Sequence, residues 1–381
     1  MLLLLLLSSV FAADTIFEPE LQVRPRFEAH TGRDGDASGG TAAAISQRTR
    51  VGASLSVGDV TGRAQIQDVR LWGSETSTLA DFSADGLDLH QAYLKWTPTE
   101  ALTLTAGRQE IAFHEHRLVG TVGWAQQGRS FDGVRVATGT GKFSADVVGV
   151  ILNEADPVAG TEDALVGMLR AGLAADKKNQ ADILVIADRD QATDRTRVTA
   201  GLYAKGTTAI VSGRVEGYYQ LGSVGGATIG AWLAGASVTI APEVALNPSI
   251  TLWYDHLSGD PDPADDEIRA FDTLFATNHK FYGILDMMWF SIGGHRDGRG
   301  LQDAALKLKA DPVDGLTVKL DGHAFLASAP QGGDSFLGTE VDLTGAYAIT
   351  EHLKAHLGGA VLVPSDGDPD IWGFVMLDVQ L

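Results

Sequence analysis

What most constrains this chain is a repeat of short segments that alternate apolar and polar residues, joined by connections alternately tight and long. In SQRTRVGASLSVG, Arg48, Arg50 and Ser54 fall on one face and Val51, Ala53 and Leu55 on the other. LQVRPRFEAH sets Arg24, Arg26 and Glu28 against Val23, Pro25 and Phe27. RTRVTAGLYA, IVSGRVEGYY, LTVKLDGHAFL, TEVDLTGAY and IWGFVMLDVQL repeat the theme. A period of two is that of half-buried β-strands. A soluble sandwich and a barrel both show it, so the number of segments and the kind of joins must decide.

Tight joins fall at 58–62, 97–100, 138–142, 176–180, 205–208, 241–244, 311–315 and 349–352. Between them lie joins at 32–41, 74–86, 109–130, 153–163, 189–194, 221–226, 257–300, 328–336 and 364–370. These are mostly longer, with 189–194 and 221–226 the short exceptions. Eight tight joins and nine others predict about eighteen strands, with both ends on the tight-turn side. Short turns at one end and long loops at the other are what an all-β, transmembrane antiparallel β-barrel needs. In lipid no water satisfies backbone groups, and only closure of the sheet removes its edges. Trp96, Trp232, Tyr203 and Tyr347 are candidates for the interfacial aromatic belts, and Val375, Leu377, Val379 and Leu381 give the last strand an apolar outer face.

Composition narrows the alternatives. The first residues, MLLLLLLSSVFAAD, fit the apolar core and cleavage site of a secretory leader spanning 1–12, with Val10 and Ala12 at the small positions. No Lys or Arg precedes the leucines, which is atypical. The remainder, 13–381, shows no linker and no apolar run of about eighteen residues, so helical spans are excluded. There is no cysteine, which removes disulfides and thiolate chemistry, and a closed sheet supplies stability in their place. The net charge of −20 argues against nucleic acid as a partner.

One stretch stands apart from the repeat: GRQEIAFHEHRLVGTVGWAQQGRSFDGVR, from Gly107 to Arg135. Its middle is irregular, glycine-bearing and charged, with Phe113, Trp124 and Phe131 as bulky rings. So long a connection in a sheet protein is usually functional. A second such run is FDTLFATNHKFYGILD, from Phe271 to Asp286. With Gly107-Arg108-Gln109, Arg117-Leu118-Val119-Gly120, Trp124, Arg129 and Phe131-Asp132-Gly133 in order, the chain resembles the bacterial alginate-export family of outer-membrane proteins. The second run resembles another motif of that family. The resemblance implies an eighteen-stranded barrel in the outer membrane of a Gram-negative bacterium. It also implies a lumen of arginines and some acidic residues that conducts a polyuronate.

The inward face is where function is expected. With the apolar partners toward lipid, alternation sends Arg24, Arg26, Arg48, Arg50, Arg63, Arg135, Arg170, Arg195, Arg197 and Arg214 to the lumen. Arg129 joins them from the long connection, and Arg70 joins only if a bulge near Gln67-Asp68 shifts the register. Strict alternation points Arg108 outward, where a charge is costly, so a bulge or the aqueous rim is expected. Asp132 and Glu216 are candidate acidic partners. These arginines either pair with lumenal acids in a wet interior or form a ring that takes over the hydration of passing carboxylates.

Other constellations carry less. HEH at 114–116 offers two histidines and no third zinc ligand. SGDPDPADDE lacks the spacing of a calcium loop and reads as a solvated outer loop. His279, Lys280, Tyr282 and Asp286 have no nucleophile beside them, and a loop folded into the pore is the preferred reading. No cofactor motif or catalytic triad motif appears. The leading expectation is therefore a channel for an anionic polysaccharide such as alginate, or for a small anionic solute. Outer-membrane lipid would surround it, and periplasmic secretion partners have a place at its inner mouth. A porin of the same fold selective for other small solutes is the alternative, and a barrel enzyme the third class.

Overall fold

The computed structural model describes residues 15–31, 41–74, 87–155, 160–286 and 298–381. The leader expected at 1–12 and nearly all of the joins expected at 32–41 and 74–86 lie outside the described residues. In chain order the strands are β1 (Thr15–Thr31), β2 (Thr41–Val57), β3 (Val60–Leu71), β4 (Leu87–Thr99), β5 (Leu102–Gln109) and β6 (Phe131–Thr140). Next come β7 (Phe143–Asn153), β8 (Ala164–Ala174), β9 (Gln180–Asp190), β10 (Arg195–Thr208), β11 (Val211–Val224) and β12 (Ala227–Ile240). The last are β13 (Ser249–Leu257), β14 (Glu267–Ile268), β15 (Leu301–Val313), β16 (Leu316–Leu326), β17 (Phe336–Ala348), β18 (Leu353–Pro364) and β19 (Asp370–Gln380).

β14 has 2 residues and lies parallel to one end of β12. Setting it aside, the 19-stranded sheet has eighteen wall strands, each antiparallel to its neighbours, and β1 pairs with both β2 and β19. Closure is complete at the seam: Leu21 and Leu381 exchange backbone N–H···O bonds of 3.2 and 2.9 Å. Each expected tight join has a counterpart between consecutive strands, but the one expected at 205–208 falls at 209–210 because β10 runs on to Thr208, and 241–248 is the longest of them. They gather at one end, and the long connections gather at the other, which in barrels of this class is the outer side.

Alternation divides the wall as its residue types demand. Leu94, Leu202, Leu252 and Leu357 are 65, 63, 65 and 62% exposed on the outside, an apolar surface that suits hydrocarbon and not water. Trp96, Trp232 and Tyr347 also lie on that exposed side. Tyr203 does not: it is 1% exposed, because it shares the inward parity of Arg195 and Arg197.

The inner wall is polar over much of its area, with apolar stretches on β12 (Ile229, Leu233), on β18 and β19 (Leu362, Phe374, Met376) and on β7, β8 and β9. On the last three, Val148, Val150, Val166, Met168, Leu184 and Ile186 are at most 3% exposed. Those three strands are apolar on both faces because the lumen opposite them is filled by protein. The buried core of the molecule lies inside the barrel, where Ile111, Phe113, Leu118, Val119, Phe271 and Phe281 from two long connections pack against the wall.

Candidate functional site

The join between β5 and β6 turns inward and builds a plug. It pivots on a 3-10 turn, His114–His116, whose three residues have φ of 46°, 58° and 75°. Three successive non-glycine residues in the left-handed region are costly, and packing must hold them there. Behind the turn Phe113 bridges Val119, and Val119 bridges Phe275 of the connection that follows β13. Backbone bonds extend the seam: Phe275 N–H to Leu118 O at 2.9 Å, Gly120 N–H to Phe275 O at 2.8 Å, and Thr277 N–H to His116 O at 3.0 Å. Only glycine fits at 120, since a Cβ there would meet Thr277 Oγ1 at 2.4 Å and His116 Cβ at 2.6 Å. The two motif stretches, distant in sequence, are thus one object in the lumen.

Arg117 locks that object to the wall. Its Nε donates to Glu216 at 2.7 Å, Nη2 to Asp255 at 2.7 Å and Nη1 to Tyr282 Oη at 2.9 Å. The guanidinium also lies 3.8 Å over the Phe281 ring and is 1% exposed. Burial works against its charge, but Asp255 and Glu216 more than offset that and hold its pKa well above the ordinary arginine value. Arg117 is therefore a structural clamp that a passing solute does not touch. Nearby, burial pushes His114 down to about 4, so the ring is neutral while stacked on Tyr203 at 4.7 Å and bonded to Tyr218 Oη at 3.0 Å.

The nominated arginines divide into four groups. Those of β1 and β2 grip the plug: Arg24 donates to Gln126 and to the carbonyls of Gly123, Trp124 and Ala125 at 2.7–3.0 Å. Arg48 reaches the carbonyls of Ala125 and Gln126 at 3.4 Å, and Arg50 that of Gln127 at 3.2 Å. Arg26 pairs with Glu28 at 2.8 Å and covers the Trp124 ring at 4.4 Å. A second group forms an alternating ladder: Arg135 to Asp146 at 2.6 Å, Asp146 to Arg170 at 3.0 Å, and Arg170 to Asp182 at 2.6 Å. Arg195 and Arg197 share Asp188, Arg214 binds Glu216 and Asp255, and Arg63 binds Glu20 at 2.6 Å.

A third group lies outside the lumen, which corrects the expectation for three residues. The β2–β3 register runs without a shift, so Arg70 shares the outward parity of Ile66 and pairs with Asp68 at 2.7 Å. The β5–β6 register is likewise regular: Arg108 faces Asp132, next to the outward pair Ala106 and Val134. Arg108 and Asp132 form a 2.8 Å ion pair on the outer surface at the long-loop end, where mutual pairing relieves the cost of their charge.

Arg129 is the fourth case. Its Nη1 caps the carbonyls of Phe275, Ala276 and Gly120, and it touches no carboxylate. Among the described residues, only Arg24, Arg48 and Arg129 of the nominated set lack an acid at salt-bridge distance. Two lysines join the arginines here: Lys280, in the loop expected to fold into the pore, and Lys205 on β10. Lys280 Nζ donates to the Glu115 carbonyl at 3.1 Å, and Lys205 lies 3.7 Å from the Glu115 carboxylate at the tip of the plug. Lys280 is the lysine of the His-Lys pair, so its motif position was the available signal.

Comparison with known proteins bears on this arrangement. The model of the alginate export family matches residues 18–368. No curated protein sequence matches. Among solved structures, Pseudomonas aeruginosa OccK11 (OpdR) superposes with a TM-score of 0.63 at 14% identity, covering 96% of each chain. Acinetobacter baumannii OccAB4 gives 0.65 at 12% identity, covering 96% of this chain and 98% of that one. Likeness at that identity carries the fold alone. With the family model spanning nearly all of the barrel and both plug-forming stretches, the chain belongs to the alginate export family of outer-membrane barrels.

Proposed function

We propose that this barrel conducts an anionic saccharide, a uronate polymer such as alginate, across the outer membrane along the β1–β2 side of the plug. The observation that carries the reading is the charge left over. Most inner-face arginines are neutralised by a carboxylate, but Arg24, Arg48 and Arg129 bond to carbonyl oxygens instead. A carbonyl accepts a hydrogen bond without cancelling the charge, so a positive field persists there between low-dielectric walls. That field draws a carboxylated chain along this side of the plug, and several weak stations let it advance.

The test is a planar-bilayer recording of the purified barrel. Anion selectivity is expected, with the current blocked by polymannuronate. Arg48→Gln should reduce the selectivity while the folded barrel still assembles. A cation-selective wild-type channel indifferent to uronates would remove this reading. The compensated ladder of Arg135, Asp146, Arg170 and Asp182 supports the second one, a porin for small neutral or zwitterionic solutes.

A further inference from the structure

On the long-loop side of the plug lies a cavity of about 660 Å³, walled by the inner face of β1 and β19 and by both plug connections. Its size is that of a small-molecule site and exceeds what a single sugar ring needs. Two buried polar atoms on its lining have no partner among the described residues: the indole Nε1 of Trp372 and the amide Oδ1 of Asn278. Trp372 is 2% exposed, so its N–H has been taken from water with nothing in exchange. An unmet buried donor of this kind costs free energy unless a ligand supplies the acceptor.

The charged lining is mixed. Arg129 spends Nη1 on carbonyls and makes no hydrogen bond through Nε or Nη2 among the described residues. Glu28 and Asp286 each give one oxygen to a neighbour, Arg26 at 2.8 Å and His279 at 2.8 Å, and line the same space. Val122, Leu274 and Ile284 add an apolar side. One cation without a counter-ion, a stranded donor, a stranded acceptor and an apolar wall match a pyranose bearing one carboxylate.

We infer that this cavity, formed where Trp372, Asn278 and Arg129 converge between the β1/β19 wall and the plug, is a binding site for one carboxylated sugar unit. Arg129 takes the carboxylate, and Trp372 and Asn278 take ring hydroxyls. This inference rests on the reading of the barrel as an anionic-saccharide conduit. It adds a holding station on the long-loop side, read out by binding and not by the sign of the current.

The experiment is calorimetric titration of the detergent-solubilised barrel with dimannuronate, mannobiose and acetate. Dimannuronate is expected to bind at least tenfold more tightly than either of the others. Trp372→Phe keeps the ring and removes the donor, and should weaken dimannuronate by about three- to tenfold, the loss of one hydrogen bond. Arg129→Lys keeps the charge and loses the fork, and should weaken dimannuronate while leaving mannobiose unchanged. Retention of the heat-modifiable gel shift shows that each variant is folded. If dimannuronate and mannobiose bind alike, or if both folded variants bind dimannuronate as the parent does, the site assignment is wrong even where the bilayer current stays anion-selective. If the parent's current is cation-selective and uronates neither bind nor block, the conduit reading fails and the site falls with it.

Discussion

His114 begins the left-handed turn at the tip of the plug, and its ring is pressed between Tyr203 and the Tyr218 hydroxyl. Its pKa in the fold is about 4, against 6.5 when free, so the folded plug favours the neutral ring. A group depressed in this way contributes stability above pH 6.5 that is lost as pH falls toward 4, on the order of 3 kcal/mol in all. Protease cleavage within 110–130 should therefore rise between pH 6.5 and pH 4, and His114→Gln should flatten that dependence. Arg117 makes a sharper case. Truncation to Ala strands the Glu216 and Asp255 carboxylates in a buried site, a cost of about 3–5 kcal/mol. Arg117→Ala should undock the plug and raise single-channel conductance, whereas an unchanged conductance would show that the clamp does not hold it. At this scale the sequence was legible for inner-face arginines such as Arg24 and Arg197, whose parity follows from neighbours. It was not legible for their chemistry, since nothing in the period of two says that Arg24 meets carbonyls and Arg197 meets Asp188. Arg70 was misplaced by supposing a bulge on β3, whereas the register shift beside Gln65-Ile66 puts its extra residue on β4 and leaves the parity of β3 unbroken.

Among the elements, β4 and β5 come close to each other at Gly107. Its φ is 124°, and a Cβ would stand 2.3 Å from the Ala92 carbonyl. Gly107→Val should impair pairing of these strands and lower the yield of folded barrel, read as the fraction of heat-modifiable species, whereas Gly149→Ala, where a Cβ meets nothing, should not. Turns were the best-read elements. The join expected at 311–315 falls between β15 and β16, and that at 349–352 between β17 and β18. Their placement predicts that a tag at 260–266 is reached by antibody on intact cells and a tag at 311–314 is not; the reverse would invert the barrel. Nearly all of the long join expected at 32–41 lies outside the described residues. The strands β7 to β9 held a signal that went unused. VVGVIL (147–152) and ILVIA (183–187) are apolar at successive positions, as in strands covered on both faces. Such runs in a barrel announce that something fills the lumen opposite them.

Taken whole, the molecule is a ring of strands that neighbouring sequence can specify and an interior that it cannot. Each wall contact joins consecutive strands, apart from the β1–β19 seam, which is why tight turns and alternation were enough to foresee the wall. The plug depends on meetings between residues far apart, such as Arg117 with Tyr282 and Val119 with Phe275. No local pattern encodes a meeting of that kind, so only the unusual wording of the two stretches hinted at it. The Arg117 clamp also imposes a sequence of events. It needs the first long connection, then Glu216 on β11, then Asp255 on β13, and finally Tyr282 beyond it. A chain laid down strand by strand cannot finish its interior until most of its wall exists, and closing long loops late is entropically expensive. An unfinished barrel is consequently a hole before it is a channel. The clamp can form only when Tyr282 follows β13, with β15 to β19 still to pair and close on β1, so until then the growing ring has no seated plug.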